Sequence, residues 1–285
     1  MRPFGYLVPP DPAAAIAAVT GRPGATFLAG GTNLVDLMKL GVATPDLLVD
    51  VTGLLPHRIE PVPGGGLRIG AGVRNSDLAA DQRVPGSGCP ARAGDHRNLA
   101  ILGGSPHCVA THPSDMAVAL AALDAVVHVE GPAGSRALPL GELYRLPGDR
   151  PDRETTLERG DLITAVELPA PGFAARSAYR KVRDRASYAF GVALVAAALD
   201  VDSGVVRDAR IALGAVAPRP WRARTAERML AGRPATAEWF GRAADAELAD
   251  AAPLPDNAFK ITLVRNIVVR MLCELARGEL AGAAS

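Results

Sequence analysis

"ATFLAGGTNLVDLMKLGVATPDLLVDVTG", residues 25–53, is the stretch on which the reading of the fold turns. "ATFLAG" is a short apolar run with the look of a buried strand, "NLVDLMKLG" reads as a helix that stops at Gly41, and "DLLVDVTG" reads as another strand. Between the first two lies the pair Gly30-Gly31. In the plainer reading these glycines only permit positive φ in a strand-to-helix turn. In the sharper one the strand delivers them to a helix start, where free main-chain N–H groups and the helix dipole hold phosphate, with Thr32 and Asn33 adding side-chain donors. The pattern is neither G-x-G-x-x-G nor G-x-x-x-x-G-K-[ST], so neither familiar nucleotide fingerprint applies.

Working outward, "DPAAAIAAVTG" (11–21) is an alanine-rich helix with Asp11 as cap and Pro12 in its first position. Downstream, "RIEPVPGGGLRIGAGV" reads as a hairpin around Gly64-Gly65-Gly66. Residues 79–107 lose apolar periodicity and read as a loop. "SDMAVALAALDA" is a helix capped by Ser114, and "VVHVEGPAGSRALPL" returns to strand and turn. The proline-glycine cluster after "LITAVELPAPG" marks a domain boundary at about 172, giving domains 1–172 (lobes about 1–55 and 56–172) and 173–285. The second half opens with two or three long strands, two of them joined by "DSG" at 202–204. It closes on "AFKITLVRNIVVRMLCELARG", where Phe259, Leu263, Ile267, Met271 and Leu275 recur every fourth position as an apolar helix face with a glycine stop.

Composition narrows the function classes. A chain of 285 residues, 48% of them hydrophobic, can bury a sizeable core and suits two domains of a soluble globular protein. Its 31 basic residues against 30 acidic give no electrostatic footprint for nucleic acid. The longest apolar stretch, 116–129, is broken by Asp124 and falls short of the roughly 20 residues of a membrane span. The start, "MRPFGYLVPPDP", has no apolar core of a signal peptide, so a cytoplasmic location is expected. Three dispersed cysteines, Cys89, Cys108 and Cys273, do not form a disulfide framework, and Cys273 reads as a packing residue. His107 and His112 bracket Cys108, but with no second thiol close by they read as loop histidines satisfied by solvent rather than metal ligands.

Five segments in order, "FLAGGTNLVDLMKLG", "GAGVRNSDLA", "THPSDMAVALAALDAVVHVEGP", "DLITAVELP" and "YRKVRDRASYAFGVALVAAAL", give the chain a family resemblance. It resembles the FAD-binding medium subunit of molybdenum hydroxylases, the xanthine dehydrogenase, carbon monoxide dehydrogenase and aldehyde oxidoreductase enzymes, nearest the bacterial aldehyde oxidoreductase branch. The resemblance implies an α+β fold: a two-lobed PCMH-type FAD-binding domain followed by a small α+β domain of the CO dehydrogenase flavoprotein type. It also implies an FAD-dependent oxidoreductase subunit that passes electrons from iron–sulfur clusters of a small subunit to an acceptor, beside a molybdopterin-containing large subunit that oxidises the substrate. Carried over by motif, Ala29, Gly30, Gly31, Thr32, Asn33 and Leu34 wrap the FAD diphosphate, Asp115 hydrogen-bonds the flavin portion, Lys181 lies near the isoalloxazine, and Leu162 packs near the ring. The flavin does the redox chemistry, so no catalytic side chain is expected, and a cation beside it favours the anionic reduced form.

One departure stands out. The family carries a second glycine turn, R-N-x-x-[ST]-[IVL]-G-G-N, and the aldehyde oxidoreductase branch adds four cysteines for a [4Fe–4S] cluster. Here some tens of residues are absent between 82 and 105, and only Cys89 and Cys108 remain there, so the cluster is not expected. Two alignments stay open: in one the second turn is deleted, and in the other "RNLAILGGS" is that turn, with Arg97, Asn98, Gly103 and Gly104 in place and Ser105 where asparagine is usual. Two other functions are weighed against the flavoprotein: an assembly scaffold that has lost FAD, and a stand-alone flavin oxidase.

Overall fold

A computed structural model gives the structure and describes residues 1–81, 83–84, 112, 114–150, 153–170, 176–185 and 189–279. The first lobe alternates strand and helix: β1 (Gly5–Leu7), α1 (Pro12–Gly21), β2 (Ala25–Leu28), α2 (Leu34–Lys39) and β3 (Leu47–Asp50). Asp11 caps α1 by accepting the Ala14 N–H at 2.7 Å, with Pro12 at the start, as the sequence indicates. The three strands are parallel in the order β1-β3-β2, which leaves one edge of β2 without a strand partner among the described residues. α1 lays Ala15, Ile16 and Val19 on Ala25, Val49 and Val51 to close this lobe's core.

The second lobe is antiparallel. It comprises β4 (Ile59–Val62), β5 (Gly66–Gly70), α3 (Asn75–Ala80), α4 (Asp115–Ala122), β6 (Val126–Gly131), β7 (Gly134–Pro139), α5 (Leu140–Leu143) and β8 (Leu162–Leu168). The strand order is β4-β5-β8-β6-β7, so β8, the last of these five in sequence, lies in the centre. Ala117 and Leu120 of α4 and Leu140 and Leu143 of α5 pack on Val127, Val129, Val166 and Leu168 of the sheet.

The C-terminal unit holds β9 (Ser177–Val182), β10 (Ala193–Asp202), β11 (Val205–Gly214), β12 (Trp221–Arg222), α6 (Arg224–Leu230), α7 (Ala237–Leu248) and α8 (Phe259–Arg277). The sheet is antiparallel, ordered β12-β11-β10-β9, and the "DSG" turn joins β10 to β11 with Ser203 and Gly204 both left-handed, at φ 50° and 78°. Two positive φ values suit the twist of a tight hairpin. β10 reads as continuously apolar because both its faces are covered. Ala193, Val195, Ala197 and Leu199 meet the helices, whereas Leu194 and Ala196 meet α4 of the second lobe.

The apolar stripe of α8 differs from its sequence reading. Val264, Ile267, Val268, Met271, Leu272 and Leu275 are buried, while Phe259 is 56% exposed and Leu263 only partly covered. A constant step of four overshoots a full turn by about 40°, so such a stripe winds off the packed face, and alternating steps of three and four stay on it. Gly278, left-handed at φ 73°, ends the helix as its sequence position suggests.

α4 is fastened to the C-terminal unit along its whole length. Val118 and Ala122 pack on Leu194, Ala196, Ala212 and Ala215, and β11 approaches so closely that a Cβ on Gly214 would lie 2.3 Å from Val118 Cγ2. Just past the helix, Asp124 sits at φ 52° and accepts hydrogen bonds from Arg210, from Arg222 at 2.8 Å and from Arg224 at 2.7 Å. Arg222 also donates to the Ala121 carbonyl, placing a cation where the helix C-terminus is negative.

Candidate functional site

A cleft of about 830 Å³ separates the two lobes of the N-terminal half. Lobe one contributes β2 and the turn after it, including Phe27, Ala29, Asn33 and Leu34. Lobe two contributes Ile69, Val73, Met116, Leu120, Leu162 and Val166. The walls are largely apolar, which suits flat rings. Met116 and Leu120, one helical turn apart, present one face of α4 to the cleft while Val118 and Ala122 face the C-terminal sheet.

The glycine turn stands at the cleft rim. Gly31 adopts φ 72°, and its carbonyl accepts the Val35 N–H at 2.9 Å, which fixes the turn onto α2. Among the described residues a Cβ on Gly30 would meet nothing within 4 Å, so on that side this backbone is open to an incoming group. Among the described residues, no backbone carbonyl accepts the N–H groups of Gly30, Gly31, Thr32 or Asn33. The Asn33 side chain makes no capping bond to α2 and lines the cleft, leaving its amide for a ligand. α2 spans six residues, shorter than the helix read from the sequence, so the turn's own N–H groups outweigh the short helix's dipole.

Asp115 and Lys181, 66 positions apart in sequence, are brought together. Ser114 caps α4 by accepting the Ala117 N–H at 3.1 Å, which sets Asp115 in the first helical position, 3% exposed. Lys181 Nζ donates to Asp115 Oδ2 at 2.9 Å, and Tyr179 Oη donates to Oδ1 at 2.8 Å. The strand period explains the pairing: Tyr179 and Lys181 share the β9 face turned to α4, while Arg180 points the other way and binds Glu274 of α8 at 2.7 Å. Tyr179 was not singled out from the sequence, although Y-x-K on a strand carried the signal. Lys181 is no solvated member of a charge run, since its side chain is only 11% exposed.

Leu162 is 5% exposed, lines the cleft and joins the first lobe's core, so β8 bridges both lobes at its start. Gly103, Gly104, Ser105, Arg97, Asn98, His107, Cys89 and Cys108 lie outside the described residues. Cys273 packs against the C-terminal core, and burial pushes its thiol up. Among the described residues no group of His, Cys, Asp and Glu could hold a metal ion.

His112 departs from its sequence reading as a solvent-satisfied loop residue. It is 3% exposed, its N–H donates to the Ala217 carbonyl at 2.9 Å, and its ring meets that of Tyr144 edge-on at 4.5 Å between centroids. Burial pushes its imidazole down to about 4, and burial likewise raises the Tyr144 phenol. The ordinary imidazole value, about 6.5, lies above this, so between those values the unfolded chain binds the extra proton. Stability from His112 is therefore full above pH of about 6.5 and lost as pH falls toward 4, by about 3 kcal/mol in all. Urea titrations of wild type and His112→Phe at pH 7 and pH 4.5 should show a smaller pH-dependent loss in the variant; equal losses would mean the histidine is not buried neutral.

The chain matches the family described as the FAD binding domain in molybdopterin dehydrogenase over residues 2–171. It also matches the CO dehydrogenase flavoprotein C-terminal domain over residues 177–275. It is 40% identical to the aldehyde oxidoreductase FAD-binding subunit PaoB of Escherichia coli (strain K12) over 324 aligned positions, covering 96% of this chain and 98% of that one. That alignment is longer than the 285-residue chain, so PaoB has residues with no counterpart here. The glyceraldehyde dehydrogenase medium chain of Sulfolobus acidocaldarius is 29% identical, over 81% of this chain and 82% of its own. Among solved structures, quinoline 2-oxidoreductase from Pseudomonas putida 86 superposes with TM-score 0.82 at 25% identity, covering 98% and 99% of the two chains. Carbon monoxide dehydrogenase from Hydrogenophaga pseudoflava does so with TM-score 0.78 at 27% identity, covering 94% and 96%.

Proposed function

Because the chain belongs to the family of FAD-binding medium subunits of molybdenum hydroxylases, we propose that it is the electron outlet of such a complex, passing electrons from a partner's iron–sulfur clusters through FAD to an acceptor. The observation that carries this reading is the turn at Gly30–Asn33, whose main-chain N–H groups have no carbonyl acceptor among the described residues and which stands, between the lining residues Ala29 and Asn33, at the rim of a cleft large enough for a dinucleotide. Bound FAD supplies the redox chemistry, accepting and releasing electrons at its isoalloxazine. The chain's own residues bind and orient it. Ala29 to Leu34 would hold the diphosphate and Leu162 would pack against a ring, and where "RNLAILGGS" is the family's second turn, Gly103, Gly104 and Ser105 would join the diphosphate site. Lys181, which the resemblance puts near the flavin, is bound to the Asp115 carboxylate rather than standing as a lone cation, which softens the stabilisation of negative charge that a free lysine would give.

The partners in this reading are a molybdopterin-containing large subunit and an iron–sulfur small subunit, and the chain works in the cytoplasm. No helix among the described residues is long and apolar enough to cross a membrane. The chain holds no [4Fe–4S] cluster of its own, since its three cysteines fall short of the usual four ligands. The domain division at about 172 is part of the same proposal.

The shortening between 82 and 105 favours a second reading, an assembly scaffold without FAD, and one preparation separates the two. Purified full-length chain is expected to be yellow, with a flavin-to-protein ratio near unity. Colourless protein that takes up no added FAD yet copurifies with a large subunit would establish the scaffold instead. Flavin-dependent turnover without any partner would point to a stand-alone oxidase.

A further inference from the structure

The cleft does not end at the glycine turn. It continues along β2 to Ala25 and beyond to Pro23, Gly24, Thr44 and Pro45. These residues form one corner, because the Asp46 N–H donates to the Gly24 carbonyl at 3.0 Å and Ala25 pairs with Leu47. From Ala25 to Ala29 is four residues, about 13 Å at about 3.3 Å per residue, which is the reach of half a dinucleotide from its diphosphate.

Arg159 stands at this far corner. It is exposed, yet its guanidinium is tethered: Nη2 donates to the Ala25 carbonyl at 3.0 Å and also to the Arg22 carbonyl. Both bonds use one terminal nitrogen, which tethers the group and leaves its Nε and Nη1 donors uncommitted to either carbonyl at the cleft it lines. Among the described residues it is the one basic residue lining the cleft, and the one acidic lining residue among them, Asp161, is held by Arg136 with its carboxylate 2% exposed. A planar cation in a cleft that Pro23 and Pro45 also line suits a neutral, electron-rich flat ring better than a further phosphate.

The geometry points to Arg159 as a specificity-determining residue that stacks on the adenine of the dinucleotide and so makes the site select FAD over FMN. This rests on the FAD reading, and it assigns the two halves of the ligand to different parts of the cleft: flavin toward Met116 and Leu120 of α4, adenosine toward Arg159.

The test uses full-length chain stripped of flavin, with dissociation constants for FAD, FMN and ADP measured on wild type, Arg159→Met and Arg159→Lys. Arg159→Met is expected to weaken FAD and ADP together by roughly tenfold and FMN by less than about twofold. Arg159→Lys can still donate to the two carbonyls but has no planar face, so it should keep wild-type thermal stability and still bind FAD and ADP weakly. FAD and FMN weakening equally, or ADP binding unchanged, would show that Arg159 acts only through β2 and overturn the assignment. Wild-type chain that binds ADP but no flavin would sink the FAD reading while Arg159→Met still decides the adenine contact. A chain that binds none of the three would end both.

Discussion

Asp115→Leu is expected to destabilise the protein by about 3–5 kcal/mol, because it leaves the Lys181 ammonium buried without its carboxylate. Tyr179 loses its acceptor in the same step, a penalty of about 1–3 kcal/mol for a hydroxyl that finds no substitute. Urea unfolding at neutral pH measures the sum. Asp115→Asn should fall between wild type and leucine, since an amide oxygen still accepts one of the two bonds. The double variant Asp115→Leu with Lys181→Met should regain much of the loss, because replacing both charges removes the desolvation penalty along with the attraction. If the double variant is no more stable than Asp115→Leu, the two side chains are not coupled, and the pairing between α4 and β9 is misassigned. Flavin content of each folded variant then reports on the cofactor separately from the fold.

Gly31→Val is expected to reduce FAD affinity by about a hundredfold or more. At φ 72° a β-branched side chain is strained by about 1–3 kcal/mol, and its Cβ would lie 3.2 Å from Val35 Cγ2 and 3.3 Å from Leu28 Cδ1. The turn must rotate to relieve this, which turns its donors away from the diphosphate, and about 1.4 kcal/mol suffices for each tenfold loss. Gly30→Val makes the informative contrast. Its Cβ meets no atom of the described residues within 4 Å, so it should leave thermal stability unchanged while obstructing the ligand. Fluorescence titration with FAD and a melting curve for each variant separate the two effects. Full flavin retention in both would remove the turn from the binding site.

Much of this architecture is legible in the amino-acid order. Caps at Asp11 and Ser114, the glycines of the β4–β5 and β10–β11 hairpins, and the stop at Gly278 are local signals, and local backbone preferences decide them. The glycine turn at 30–31 is legible for the same reason. What escaped depends on contacts distant in sequence. β1 is three residues long and exists because β3 pairs with it, so no periodicity marks it. The burial of His112 follows from Ala217 and Tyr144, 105 and 32 positions away, and nothing beside it in sequence announces either. Arg159 sits in "LERGDLIT", where a basic residue before a glycine looks like ordinary surface; only the fold shows it bonded to the edge of β2.

The fastening of α4 bears on how such a chain can be recombined. Its sequence belongs to the first half, but its apolar contacts and both its ends are shared with the second. A chimera spliced at the proposed boundary near residue 172 would therefore exchange one side of a matched surface and leave the other behind. Viable hybrids between relatives should co-inherit residues 112–124 with the sheet they lie on, and the unit of exchange is discontinuous in the gene although the fold is built in sequence order.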